Sequence, residues 1–288
     1  MPASTADAPC PEQAFNATAL KWHTCAWLLL PVLVFLAGWM HWYAALPLML
    51  LTAAGLAPRK RKEPQTRDSL PAFPLFTRSS FLALAAFAAL MTLSGWGEWV
   101  NQHPDHIVRN ACLRELVASP WPVIFPDGNM LVYNTGFWLV PALAGKLAGL
   151  DAARVFVVLW GTWGLFLTWL WLCVFSGRRS LLLALLMAAF GSLLNFQCWL
   201  GLDLFRLHYF GTAEQIMCSA NASIPVLLFF IFLASGRMPL PWIPLLFAAT
   251  AFYSPLAALG GLPLAACQWY RQWRGVPPLR DVLLHPSF

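Results

Sequence analysis

A chain of 288 residues, 59% of them hydrophobic and only 10% charged, is not a water-soluble globular domain, because such domains carry about 25% charged residues. The mean hydropathy of +0.63 agrees, and so do the 16 tryptophans, a residue that collects at membrane–water boundaries. The composition implies an all-α, polytopic transmembrane helical bundle resident in the lipid bilayer. The net charge of +6 is gathered into "RKRK" (Arg59 to Lys62), "GRR" (Gly177 to Arg179), Arg237 and "RQWR" (Arg271 to Arg274). Short loops rich in Lys and Arg stay cytoplasmic. "RKRK" directly follows an apolar segment, so it reads as topogenic and no nucleic-acid partner is expected.

In chain order, residues 1–24 form a cytoplasmic tail whose first twenty residues contain acids and no basic n-region, unlike a cleaved signal peptide. Cys25 to Pro58 is too long for one span and sufficient for a two-span hairpin (25–58), since a crossing helix takes about 17 to 25 residues. "MHWY" (Met40 to Tyr43) is its outer turn. A basic cytoplasmic loop (59–78) follows, and Ser79 to Trp96 returns outward. An outer loop, 97–153, contains "MLVYNTGFWLVPALAGKLAG", apolar but short. Because Val155 to Phe175 then runs inward to "GRR", Met130 to Gly149 is expected to be a re-entrant or interfacial helix, with a crossing as the alternative. Ser180 to Trp199 exits, and 200–222 is a second outer loop. Ser223 to Ala234, Pro239 to Tyr253 and Pro255 to Trp269 complete about eight spans plus the irregular element, forming a membrane core over 79–270. Residues 271–288 are a cytoplasmic tail or a truncation point.

Twelve residues are Asp or Glu. Glu98, Asp105, Glu115, Asp127, Asp151, Asp203 and Glu214 all fall on the outer side or its boundary, although carboxylates contribute little to orientation. For Glu98, Glu115, Asp127 and Asp151 the ordinary wetting of outer loops is a sufficient account. Asp105 differs in its neighbours: "PDHIVRN" sets Asp105 four residues from Arg109 and His106 four from Asn110, spacings that share a helix face. The bland reading is a helical ion pair; the functional one is a carboxylate base beside a cation whose fork matches phosphate oxygens. "WP" at Trp121 and Pro122, with Pro120 and Pro126, ends that helix and begins an extended aromatic stretch. The chain contains no P-loop, no G-x-G-x-x-G at a strand, no H-E-x-x-H and no CxxC. Cys25, Cys173 and Cys267 lie in apolar runs; Cys112, Cys198 and Cys218 fall on the outer side, where one disulfide is conceivable. His103 and His106, three apart, could ligate a metal with Asp105, but the spacing alone assigns no metal ligand, and a divalent cation stays open.

The order of these features resembles a family of bacterial multi-pass proteins in the GT-C glycosyltransferase superfamily, over about Leu28 to Trp269. The carriers are the two-span hairpin with its basic loop, then Asp105, Asn110, "LREL" and "WPV", then "LVYNTGFWLVPALAGKLAG", "GLD" (Gly201 to Asp203) and "YSPLAALGGLPL" from Tyr253. Where such proteins often carry a Lys-His or similar pair before the Asn, this chain has Val108 and Arg109. Members usually run longer, which suggests the N-terminal part of a longer protein. The resemblance implies a GT-C-like bundle in the bacterial inner membrane that transfers a sugar from a polyprenyl-phosphate donor to an acceptor on the outer face. It implies Asp105 as the catalytic general base, with His106, Arg109, Asn110, Arg114, Tyr133, Lys146 and Asp203 as substrate-binding candidates. Arg109, assisted by Arg114 or Lys146, would then stabilise the departing lipid phosphate. One displacement of this kind inverts the anomeric centre, and a single base suffices. The rival classes are a transporter or flippase of a lipid-linked substrate, which would want ionisable groups inside its spans, and a non-catalytic assembly subunit.

Overall fold

A computed structural model describes residues 17–57, 77–100, 102–190 and 211–276. The described residues form ten helices and no strand. They are α1 (Ala17–Trp39), α2 (Trp42–Leu56), α3 (Arg78–Leu93), α4 (Pro104–Ala118), α5 (Gly136–Ala148), α6 (Leu150–Ser176), α7 (Leu181–Ala189), α8 (Thr212–Ala234), α9 (Trp242–Tyr253) and α10 (Pro255–Trp273). Most of the basic loop, Asp203 and "GLD", the end of the Ser180 to Trp199 span and the tail from 277 onward lie outside the described residues.

The sequence sets the helix ends locally. The Thr77 hydroxyl accepts from the Ser80 N–H at the start of α3, and the Ser180 hydroxyl accepts from the Leu182 N–H at the start of α7, each occupying one of the orphan donors of a first turn. Pro104 and Pro255 sit in first turns, where their missing N–H costs nothing. α6 stops at Gly177, whose φ of 69° is left-handed and costs glycine least.

α6 is the central helix, packing against α5 and α8 most extensively and also against α1, α3, α4 and α7. It is apolar on every side and buried along most of its length, as expected of a helix enclosed by others. Three helices are long and apolar enough to cross a membrane: Thr18–Trp39, Leu150–Ser176 and Thr212–Ala234. Four shorter apolar helices, Trp42–Leu56, Arg78–Leu93, Gly136–Ala148 and Trp242–Tyr253, accompany them. Large side chains such as Trp42, Leu51, Phe81, Leu185 and Leu256 stand exposed on α2, α3, α7 and α10. A soluble monomer does not expose so many large apolar side chains on so many helices, and lipid removes the difficulty. The chain is a helical membrane protein.

The hairpin break falls at Met40–His41, inside "MHWY". Two segments differ from the sequence reading. Residues 130–135 are not helical; Met130 pairs with Ile124 in one antiparallel bridge, and only Gly136–Ala148 coils. The resulting α5 has 13 residues, eight of them buried, and at about 20 Å falls short of a hydrocarbon core of about 30 Å. The expected second outer loop is helical from Thr212, because Glu214 reaches back to the Gly211 N–H at 3.0 Å and opens α8 eleven residues before Ser223.

Candidate functional site

α4 carries Asp105, His106, Arg109, Arg114 and Glu115 and lies against α5 and α6. Its buried stripe is His106, Arg109, Cys112, Leu113 and Leu116, the three-and-four spacing of one helix face. Asp105 stands at the edge of this stripe with its side chain 51% exposed. The helix therefore turns one cation and one imidazole inward and leaves the carboxylate open to the outside.

Facing the stripe, α8 departs from helical geometry at Ser219 (φ −151°, ψ 43°). Four carbonyls around this kink receive side-chain donors. Trp96 Nε1–H donates to Ile216 at 2.8 Å and His106 Nε2–H to Met217 at 2.8 Å. The Ser223 hydroxyl reaches both Gln215 and Ser219. A bent helix in an apolar setting must satisfy its freed polar groups within the protein, and here Trp96 of the α3–α4 connection, His106 of α4 and Ser223 of α8 itself do so. A carbonyl only accepts, so His106 carries its proton on Nε2, and its buried Nδ1 is left without a partner. Burial lowers the pKa of this imidazole below its ordinary value; the Met217 carbonyl opposes the shift, and the Arg109 and His103 charges add to it. The ring is held neutral.

Arg109 is 7% exposed. Its Nη2 donates to the Ser219 hydroxyl at 3.2 Å and lies 3.7 Å from the Asp105 carboxylate, and the guanidinium sits 5.9 Å from the Trp96 ring centre. Its Nε and Nη1 are buried with no hydrogen-bond partner. A guanidinium has five N–H donors, and leaving buried donors unspent is costly.

The other candidates are placed elsewhere. Asn110 Nδ2 donates to Gln102 Oε1 at 2.7 Å, in the segment that precedes α4. Arg114 is spent on Glu98 at 2.6 Å. Lys146 donates to the Ser119 carbonyl at 2.6 Å and lies 5.0 Å from the centre of the Trp121 ring, at the far end of α4 and about 20 Å along its axis from Asp105. Tyr133 packs on Trp138. Of the cations proposed to meet a phosphate, Arg109 alone is gathered with Asp105, while Arg114 and Lys146 are engaged in holding α4 in place. Cys112 and Cys218 are free thiols, and burial pushes Cys112 up to about 12.

Two features escaped the sequence reading. Glu98, taken there as a wetting residue, joins Arg114 and Arg154 (2.6 and 2.5 Å), and Arg154 also holds Asp151 at 2.7 Å. The Ser219 kink and its donors link positions more than 100 residues apart. No spacing rule reaches that far. No family model, curated protein or solved structure matches this chain.

Proposed function

We propose that the protein is a membrane glycosyltransferase that takes a sugar from a polyprenyl-phosphate donor and passes it to an acceptor at the outer face of a bacterial inner membrane, within a GT-C-like bundle of about eight crossings. The observation that supports this reading is Arg109: a buried guanidinium with two unpartnered nitrogens, beside the exposed carboxylate of Asp105. In the proposed step the acceptor hydroxyl attacks the anomeric carbon and gives its proton to Asp105. The bond from that carbon to the phosphate oxygen breaks, and the lipid phosphate leaves toward Arg109, where the new negative charge develops. The apolar flanks of α5 and α6 suit the lipid half of such a donor, and the open edge of α4 suits the polar half.

The test is Asp105→Asn in the full-length protein, with membrane abundance followed in parallel. Product should fall by about 10²–10⁴-fold, the usual worth of a positioned general base, at unchanged abundance. Persistence of product would move the base elsewhere and favour a transporter or flippase of a lipid-linked substrate, or an assembly subunit.

A further inference from the structure

His103 is the N-cap of α4, Asp105 is in its first turn, and Cys218 is the residue before the α8 kink. One ligand-type atom from each lies within 4.8 Å of the other two. His103 Nε2 is 3.9 Å from Cys218 Sγ, and His103 Nδ1 is 3.6 Å from Asp105 Oδ2. We propose that these three side chains bind one divalent metal ion of the zinc class and leave its fourth position open.

The donor set chooses the ion. Imidazole, thiolate and carboxylate together suit Zn²⁺ or Co²⁺, whereas Mg²⁺ and Ca²⁺ want oxygen alone. Ligand atoms on one tetrahedral zinc stand about 3.3–3.7 Å apart, from bond lengths of about 2.0–2.3 Å; the ion takes one nitrogen of the ring, and the three ligand atoms, now within 4.8 Å of one another, must draw in by up to about 1.5 Å to share it. Cys218 is buried, while the side chains of His103 and Asp105 are 37% and 51% exposed. The thiol end is therefore anchored inside, and the other two ligands leave a path from outside. Three protein ligands with an open position is the pattern of a reactive rather than a structural zinc.

Two costs are visible. The Nδ1 of His103 accepts a long 3.3 Å hydrogen bond from the Asp105 N–H. The ion ends that contact whichever nitrogen it takes: at Nδ1 it occupies the lone pair, and at Nε2 it moves the ring proton to Nδ1. Arg109, 3.7 Å from the Asp105 carboxylate, repels a second cation, so the Cys218 thiol must deprotonate and binding must release protons. The carboxylate and thiolate together offset Arg109 and half of the ion's charge, and the remaining positive charge attracts an oxygen ligand. Binding itself does not depend on the transferase reading. Its consequence does: an acceptor hydroxyl at the open position would lose its proton more readily, with one Asp105 oxygen on the ion and the other taking that proton.

The full chain, purified without a polyhistidine tag and stripped with a chelator, is titrated with Co²⁺ and then Zn²⁺. One Co²⁺ per chain should bind with a thiolate-to-cobalt charge-transfer absorption that Zn²⁺ abolishes. Cys218→Ser should lose that absorption while Cys267→Ser keeps it. His103→Gln should weaken Co²⁺ at least about tenfold, since even outer groups around a metal cost about 10–100-fold. In the unaltered chain Zn²⁺ should also slow alkylation of Cys218 and leave the exposed Cys267 reactive, which decides the matter should Cys218→Ser fail to fold. Absence of the absorption in the unaltered chain, its persistence in Cys218→Ser, or alkylation of Cys218 indifferent to Zn²⁺ would overturn the site. Turnover plays no part in these readings, so their failure leaves the transferase proposal standing and its failure leaves them standing.

Discussion

Glu98 occupies a left-handed conformation (φ 67°) just after the bends at Gly95 and Gly97, both at φ 91°. A residue with a Cβ holds such a backbone only when its surroundings repay the strain. Here the repayment is electrostatic: a side chain only 9% exposed receives both Arg114 and Arg154. Burial alone would raise the pKa of its carboxyl, but the hydrogen bonds and charges of the two arginines outweigh it and hold the carboxyl below its ordinary value of 4.5. The ion cluster therefore contributes its full stability above about pH 4.5 and loses it as the pH falls through the folded-state value. His106 acts in a higher window. Its folded pKa is lowered from 6.5, so the unfolded chain takes up the proton first and stability begins to fall below about pH 6.5, levelling once the folded ring protonates. Melting midpoints measured between pH 7 and 3 should decline in both windows. Glu98→Gln should remove the lower decline and leave the upper one; a variant whose acid profile matches the parent would remove Glu98 from the account.

At the scale of elements, helix partners are chosen by close approach rather than by an apolar stripe. A Cβ at Gly164 of α6 would lie 2.6 Å from Ile224 and 2.7 Å from Trp27, so α1 and α8 both press against that bare backbone. Small residues at such crossings are how membrane helices pack. Gly164→Ala should lower stability by about 1–3 kcal/mol, the usual cost of overpacking. Gly260→Ala on α10, where a Cβ meets nothing within 4 Å, should be neutral or slightly stabilising through the better helix propensity of Ala. Melting the two variants side by side in the same detergent checks the contrast, and equal effects would refute it. The same features decide what the sequence discloses. The break at Met40–His41 and the helix through "PDHIVRN" were legible because "MHWY" interrupts an apolar run and the three-and-four spacing is local. The Asp105–Arg109 pairing was legible for the same reason. The length of α5 was not: "MLVY" is as apolar as the helix after it, and only its bridge to Ile124 takes it out of the coil. The burial of Arg109 depends on a kink in α8 that no residue near Arg109 announces, and Glu98 finds its partners 16 and 56 residues away.

At the scale of the whole molecule, the two ends of the described chain meet in one aromatic stack. Trp27 of α1 lies between Trp160 of α6 (5.0 Å, 12° between planes) and Tyr253 of α9 (5.7 Å, 8°). Its indole N–H donates to the Trp160 carbonyl at 3.0 Å, and the Tyr253 hydroxyl donates to the Trp27 carbonyl at 2.9 Å. Lipid surrounds apolar helices as favourably as other apolar helices do, so association rests on such packing and hydrogen bonds. The N-terminal hairpin is thus tied to α6 and α9 by the same interlocked surfaces, and the described helices should unfold together. Trp27→Ala should cost about 3–5 kcal/mol, and Tyr253→Phe, which removes one donor and keeps the ring, about 0.5–1.5 kcal/mol. Both should lower one shared transition, seen at the same temperature by tryptophan emission and by helicity. A hairpin that melts apart from the remainder would give two transitions and would make α1 an accessory rather than part of the core. The site on α4 and the α8 kink adjoins this stack through Phe137, which touches both Trp96 and Trp27, and does not use the Tyr253 hydroxyl. A folded Tyr253→Phe protein should therefore keep the Asp105-dependent turnover, which separates loss of scaffold from loss of chemistry.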